Sequence, residues 1–68
     1  MNEVTLTQRM WREMAREASQ KGYIFNGDFV WKEGIGVFYP KMPDADAEFG
    51  KIVFNTPELK TFYLLKWS

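Results

Sequence analysis

The chain contains no cysteine among its 68 residues, so neither a disulfide nor a thiolate-bound metal ion holds its fold together. A single domain of this length buries only about 60% of the surface of the unfolded chain, and its core must therefore be efficient. Aromatic residues make up 18% of the sequence, and each of them buries roughly 150–250 Å². Folding alone thus explains much of the aromatic content.

The N-terminal third has the pattern of an amphipathic helix. Thr5 and Gln8 fit a capping box, in which the threonine accepts from an amide of the first turn and the glutamine reaches back. Apolar residues then recur at helical spacing, and charged residues of both signs occupy the opposite face. Gly22 is suited to a left-handed cap. The pattern predicts a helix from about Leu6 to Lys21.

The segment from Tyr23 to Tyr39 is rich in β-branched and aromatic residues, which favours strands. Two turn signals interrupt it, Asn26-Gly27 and Glu33-Gly34. Either turn, or both in a short meander, would join antiparallel strands, and the register is left open. Pro40 ends the run because it has no backbone donor for the ladder.

The C-terminal part begins with a long acidic loop, residues 40–50, followed by a predicted strand at Lys51 to Asn55. Thr56 and Pro57 are typical of a helix start. We predict a helix over residues 57–67, while their strand-forming composition leaves a fourth strand open. The predicted fold class is α+β, a single small domain over residues 1–68. Its elements are a helix, a three-stranded antiparallel sheet and a C-terminal helix, in the order αβββα.

The αβββα order and the length are similar to those of double-stranded RNA-binding domains and of small HicA-type toxins. The resemblance concerns the order of elements and implies no role for any residue. The segment PELKTFYLLKW lacks the lysine-rich start that those RNA-binding domains place against phosphates. The chain also has no histidine, so the catalytic histidine of such a toxin has no counterpart.

The predicted sheet carries large apolar residues on both of its faces. Two short helices cover one face, so we expect some of these side chains at the surface, where contiguous apolar area tends to mark an interaction site. The alternative is that the long loop and the C-terminal segment cover the second face and bury every ring. The candidate protein-binding residues are Trp31, Phe38 and Tyr39 as anchors, with Asp44, Asp46 and Glu48 as a charged rim.

A second hypothesis is nucleic-acid binding, in which cations of the first helix contact phosphates and strand aromatics stack on bases. The candidate residues are Arg9, Arg12, Arg16 and Lys21. Nine basic and nine acidic residues give a formal net charge of zero, which removes whole-molecule attraction to nucleic acid. Because Glu13 and Glu17 lie among these cations, a solvated, salt-bridged helix face is the competing interpretation.

Catalysis is poorly supported, because histidine and cysteine are absent and so short a chain has little room for a cleft that shifts the pKa of a carboxylate or lysine. We therefore expect no enzyme and no cofactor. We expect no metal either, since the alternating acids of the long loop lack the spacing of a calcium loop. No apolar run reaches the length of a signal peptide or a membrane span, so we expect a cytoplasmic protein.

The sequence thus favours a small, non-enzymatic protein-binding module that inhibits or adapts a larger machine. A complete, cysteine-free reading frame of this size is common among accessory genes of phages and mobile elements, and this association suggests such an origin. A homodimer that buries an apolar sheet face between two copies is a variant of the same hypothesis. The identity of the partner does not follow from the sequence.

Overall fold

The computed structural model describes residues 2–40 and 49–67, and over these residues three helices pack on a three-stranded sheet. The elements follow in the order β1 (Glu3–Thr5), α1 (Gln8–Gln20), α2 (Asn26–Lys32), β2 (Gly36–Tyr39), β3 (Lys51–Phe54) and α3 (Pro57–Trp67). The sheet is antiparallel throughout, with β3 between β1 and β2. The predicted α+β class and three-stranded antiparallel sheet are confirmed.

The order of elements differs from the prediction, because it is βααββα and not αβββα. β1 precedes the first helix and pairs with β3, with Val4 opposite Ile52. Its three residues are too few for an alternating pattern to be visible in the sequence. The resemblance in element order to double-stranded RNA-binding domains and HicA-type toxins is therefore wrong.

A helix, α2, stands where the sequence predicted a strand and an Asn26-Gly27 turn. Phe29 and Val30 are consecutive and both buried, which alternation along a strand would not allow, whereas a helix places them about 100° apart toward one side. Asp28 in the first turn and Lys32 in the last turn also suit the helix dipole. Tertiary burial of this pair therefore outweighs the strand propensity of the segment.

The Glu33-Gly34 turn ends α2 and does not join two strands. Gly34 has a φ of +73°, and its N–H donates to the carbonyl of Trp31 at 3.1 Å. The N–H of Ile35 donates to the carbonyl of Val30 at 2.9 Å, which completes a Schellman motif. Ile35 follows this turn and is buried.

The first helix begins later than predicted. Thr7 is the cap, and its Oγ1 accepts from the N–H of Met10 at 3.2 Å, whereas Thr5 belongs to β1. At the other end, Gly22 has a φ of +85° and supplies the predicted left-handed cap. The N–H of Tyr23 then donates to the carbonyl of Ala18 at 2.9 Å.

The C-terminal segment forms a helix, so the alternative of a fourth strand is wrong. As predicted, Thr56 caps it, because its Oγ1 accepts from the N–H of Leu59 at 3.1 Å, and Pro57 is the first helical residue. All three helices contribute side chains to one core together with β3. Its buried residues are Leu6, Met10, Met14, Ala18, Phe29, Val30, Ile35, Ile52, Phe54 and Trp67.

One face of the sheet packs against the helices, and the other carries exposed side chains. Pairing places Phe38 beside Ile52, on the side that faces the helices. Val37 and Tyr39 alternate with these residues and lie on the opposite side, where both are exposed. The alternative in which every ring is buried is wrong, since Phe25 on the loop before α2 and Phe62 on α3 are also exposed.

Candidate protein-binding groove

An open groove of about 600 Å³ lies between α1, the start of α2 and the end of β2. We call it the aromatic groove, and its lining residues are Trp11, Phe25, Asn26, Gly27, Phe38, Pro40 and Phe49. Four of these seven residues are aromatic, and none is ionisable. The described part of the lining can therefore bind apolar groups, and within residues 2–40 and 49–67 it includes no acid or base.

The position of Trp11 follows from the amphipathic pattern of α1. It comes directly after buried Met10, so its side chain lies about 100° around the helix, at the edge of the buried stripe. The ring of Trp11 lies 6.3 Å from that of Phe49, centroid to centroid, and the two rings are tilted. One wall of the groove is thus an aromatic pair that joins α1 to the segment before β3.

Phe25 forms part of the opposite side. It is the residue that precedes α2, with an extended backbone, and 67% of it is exposed. Ile24 beside it is 90% exposed. Two consecutive large apolar residues are therefore presented to solvent at the junction of α1 and α2.

Gly27 and Phe38 are neighbours in the groove lining. A Cβ atom on Gly27 would lie 3.6 Å from Cδ2 of Phe38, which is ordinary van der Waals distance. Gly27 is also not among the glycines with a positive φ. Neither sterics nor the backbone conformation thus requires glycine here, although glycine in a helix costs about 0.5–1 kcal/mol relative to alanine. Its effect is to leave this part of the groove open.

Gly50 positions Phe38 from the other side. Its φ is +87°, and a Cβ atom there would lie 2.5 Å from the carbonyl oxygen of Tyr39 and 3.1 Å from Cε1 of Phe38. A side chain at this position would displace β2 or the ring. The glycine therefore allows Phe38 to lie against the backbone while one side of its ring faces the groove.

The outward side of α1 carries three exposed arginines, which we call the arginine row: Arg9, Arg12 and Arg16. Nη1 of Arg16 lies 3.9 Å from Oε2 of Glu13, a weak surface pair. Within residues 2–40 and 49–67, neither Arg9 nor Arg12 forms an ion pair. The row is therefore largely available to an external anion.

Lys21, the fourth predicted phosphate contact, has partners within the protein. Its Nζ lies 3.0 Å from Oε1 of Glu33 and 3.8 Å from Oε2 of Glu17. The hydroxyl of Tyr23 donates to Oε2 of the same Glu33 at 2.7 Å. Hydrogen bonds from Tyr23 and then Lys21 lower the pKa of Glu33, and the bond with Glu33 raises the pKa of Lys21. This network ties the end of α1 to the end of α2.

The three predicted anchors lie on different surfaces. Trp31 is on α2 and not on a strand, and 68% of it is exposed. Phe38 lines the aromatic groove, whereas Tyr39 lies on the other side of the sheet with its ring centre 5.7 Å from Nζ of Lys51. The predicted rim residues Asp44, Asp46 and Glu48 fall outside the described residues.

Sequence reasoning missed Trp11, Phe25 and Gly27 as parts of one site. It placed Trp11 beside the apolar stripe of the first helix, Phe25 in a predicted strand, and Gly27 in one of two candidate turns. The adjacent apolar residues Phe29 and Val30 were the available signal, because a helix there would have placed Phe25 at its exposed start.

Comparisons of the chain with protein-family models, with curated proteins and with solved structures gave no match. No helix within the described ranges is long and apolar enough to cross a membrane. Those ranges also contain no cluster of three or more histidine, cysteine, aspartate or glutamate residues placed to hold a metal ion.

Proposed function

We propose that the protein is a small, non-enzymatic binding module that recognises another protein through the aromatic groove. The observation that carries the proposal is the exposure of Phe25 and Ile24 beside a groove lined by Trp11 and Phe38. Contiguous apolar surface of this kind tends to mark interaction sites. Aromatic side chains are also the ones that most often anchor protein interfaces.

The chemistry of the lining supports binding over catalysis. The lining residues that the structure describes include no ionisable side chain, so they offer no general acid or base to a bound molecule. It is an open depression, which suits a side chain projecting from a partner better than an enclosed small molecule. Gly27 adds to this argument, because its missing side chain leaves the groove open at a small cost in helix stability.

The proposal also covers the cellular environment, the mode of action and the origin of the protein. The absence of cysteine supports a reducing, cytoplasmic environment. A binding module without catalytic groups would act by occupying or bridging a larger assembly, so we propose that it inhibits or adapts such a machine. An origin as a phage or mobile-element accessory protein is part of the same proposal and rests on its size and composition.

The experiment is affinity capture from a lysate of the native host by the immobilised protein. The test variant is Phe25→Ala, which removes an exposed ring of the groove. The matched control is Phe62→Ala, which removes a ring that is 56% exposed on α3, away from the groove. Both variants are first shown to keep the near-ultraviolet circular dichroism and urea midpoint of the wild type.

We expect a protein that is retained by the wild type and by Phe62→Ala and is lost with Phe25→Ala. Retention of the same proteins by all three, or loss with both variants alike, would contradict binding through the aromatic groove. Sedimentation at micromolar concentration tests the homodimer variant. A dimer that becomes monomeric with Phe25→Ala would identify the occupant as a second copy of the chain.

A further inference from the structure

We infer that the occupant of the aromatic groove is an acidic protein segment, which places an apolar side chain in the groove and carboxylates against the arginine row. This inference rests on the proposed function and names the chemistry of its partner. The observation behind the inference is that the aromatic groove and the arginine row lie side by side on the exposed surface of α1.

α1 determines this placement. Met10 and Met14 are buried and fix the rotation of the helix, so Trp11 points to one side of the exposed surface. Arg12 follows Trp11 and lies about 100° further around, toward solvent. An apolar contact and a charged contact are therefore available to one ligand from consecutive residues.

The apolar surface continues along the helix. A smaller depression of about 440 Å³ shares Trp11, Phe25 and Asn26 with the aromatic groove and extends past Ala15 to Ser19. These small side chains lie one and two turns after Trp11 on the same side of α1. Arg12 and Arg16 come one residue after Trp11 and Ala15, so they form a parallel line about 100° further around the helix. A segment of several residues lying along α1 would thus contact both surfaces over two turns.

The charge of the arginine row is not cancelled by the acids of its own helix. Glu17 turns toward α3, where its Oε1 lies 2.9 Å from Nζ of Lys66 and its side chain is only 12% exposed. Of the two acids in α1, Glu13 is the one that pairs with an arginine of the row, at the 3.9 Å separation from Arg16. Guanidinium groups bind carboxylates in a planar, two-point geometry, which favours aspartate and glutamate side chains as ligands.

The same observations favour a protein over a nucleic acid. Single-stranded nucleic acids are bound by extended cationic grooves that follow many phosphates. Here the three arginines occupy one helix, Lys21 is paired with Glu33, and the whole chain has a formal net charge of zero. The aromatic side chains also line a depression and do not form a flat platform for stacked bases.

The test is selection of random peptides displayed on phage against the wild-type protein, with counter-selection against Phe25→Ala. Selected peptides are synthesised and their dissociation constants measured at low and at physiological salt. The charge variant is Arg9→Gln/Arg12→Gln, which leaves the Glu13–Arg16 pair in place. The control is Lys32→Gln, which removes an exposed positive charge from α2. A single-stranded and a double-stranded oligonucleotide are measured in parallel.

We expect peptides with one large apolar residue flanked by aspartate or glutamate. Their binding should weaken about three- to tenfold in Arg9→Gln/Arg12→Gln at low salt, less at physiological salt, and should stay unchanged in Lys32→Gln. Groove-dependent peptides without acidic residues would overturn this inference and leave the proposed function standing. Salt-dependent binding of an oligonucleotide in preference to every peptide would overturn both. The absence of any peptide lost with Phe25→Ala would likewise count against both.

Discussion

The indole Nε1 of Trp67 donates a hydrogen bond of 3.4 Å to Oε1 of Glu17, which joins α3 to α1 across 50 positions of sequence. The same oxygen lies 2.9 Å from Nζ of Lys66. Trp67 is buried, and Glu17 is the acceptor that the described residues provide for its N–H. The Glu17 carboxylate therefore adds a polar contact to the apolar packing that holds the C-terminal helix against the core.

Replacement of Glu17 by alanine should lower the free energy of unfolding by about 1–3 kcal/mol, because it leaves the buried indole N–H without an acceptor. Glu17→Gln should cost less, since the amide oxygen can still accept from Trp67. Urea unfolding followed by tryptophan fluorescence measures both. Glu13→Ala is the control, and its effect should stay within about 0.5 kcal/mol because Glu13 forms only a weak surface pair. Equal losses for the variants of Glu17 and Glu13 would contradict this role of Glu17.

Gly36→Ala should be among the most destabilising single-atom additions in the protein. A Cβ atom at this position would overlap the carbonyl oxygen of Val53 and would lie 2.8 Å from Cα of Phe54, both in the backbone of β3. Strand β2 would have to move, which we expect to cost about 1–3 kcal/mol or more. Chemical denaturation gives the value, and amide exchange of β2 and β3 should rise. An alanine variant as stable as the wild type would show that β2 does not approach β3 this closely.

Gly27→Ala should stabilise the protein, in contrast to Gly36→Ala. The position has no positive φ and has room for a Cβ atom, so alanine should raise the free energy of unfolding by about 0.5 kcal/mol. The contrasting variant is Gly22→Ala, where a φ of +85° should make alanine cost about 1 kcal/mol. Thermal unfolding of the two variants in one buffer tests the difference. Destabilisation at both positions would remove Gly27 from the argument for an open groove.

The network around Glu33 predicts a pH dependence of stability. Its pKa is lowered from the usual 4.5 by hydrogen bonds from Tyr23 and Lys21, so the folded state favours the carboxylate. The stabilisation is therefore present above pH 4.5 and is lost as the pH falls through the lower, folded-state pKa. Hydrogen bonding to Glu33 also raises the pKa of Lys21, which preserves the cation to a higher pH in the folded state.

Glu33→Gln isolates this contribution. The difference in urea midpoint between the wild type and Glu33→Gln should be present at neutral pH and should shrink as the pH falls below 4.5. Glu58→Gln, at an exposed position in the first turn of α3, is the reference for general acid effects. A difference that persists unchanged in acid would mean that the charge of Glu33 does not contribute through this network.

The first and last helices, α1 and α3, were predictable because the residues that define each of them lie close together in the sequence. The spacing of Met10, Met14 and Ala18 shows one buried stripe of α1, and the left-handed turn at Gly22 follows from its lack of a side chain. Thr56 and Pro57 likewise show the start of α3 within four residues of sequence. In each case a cap or a period that spans a single helix is enough to define it.

The middle of the chain was not predictable on the same basis. Residues Phe25 to Trp31 have strand propensity, and only the core contacts of Phe29 and Val30 make them a helix. β1 depends in the same way on β3, because three residues have no stable extended conformation without a partner strand.

The candidate site depends both on local sequence and on tertiary contacts. The supply of exposed apolar side chains follows from composition, since so small a domain has more large rings than its interior can enclose. Their arrangement does not, because Trp11, Phe25 and Phe38 are far apart in sequence and meet only when α1, α2 and β2 pack together. The amino-acid order by itself determined the first and last helices, the α+β class and an excess of apolar surface. Tertiary packing alone decided which of those residues form a groove and which cations remain beside it.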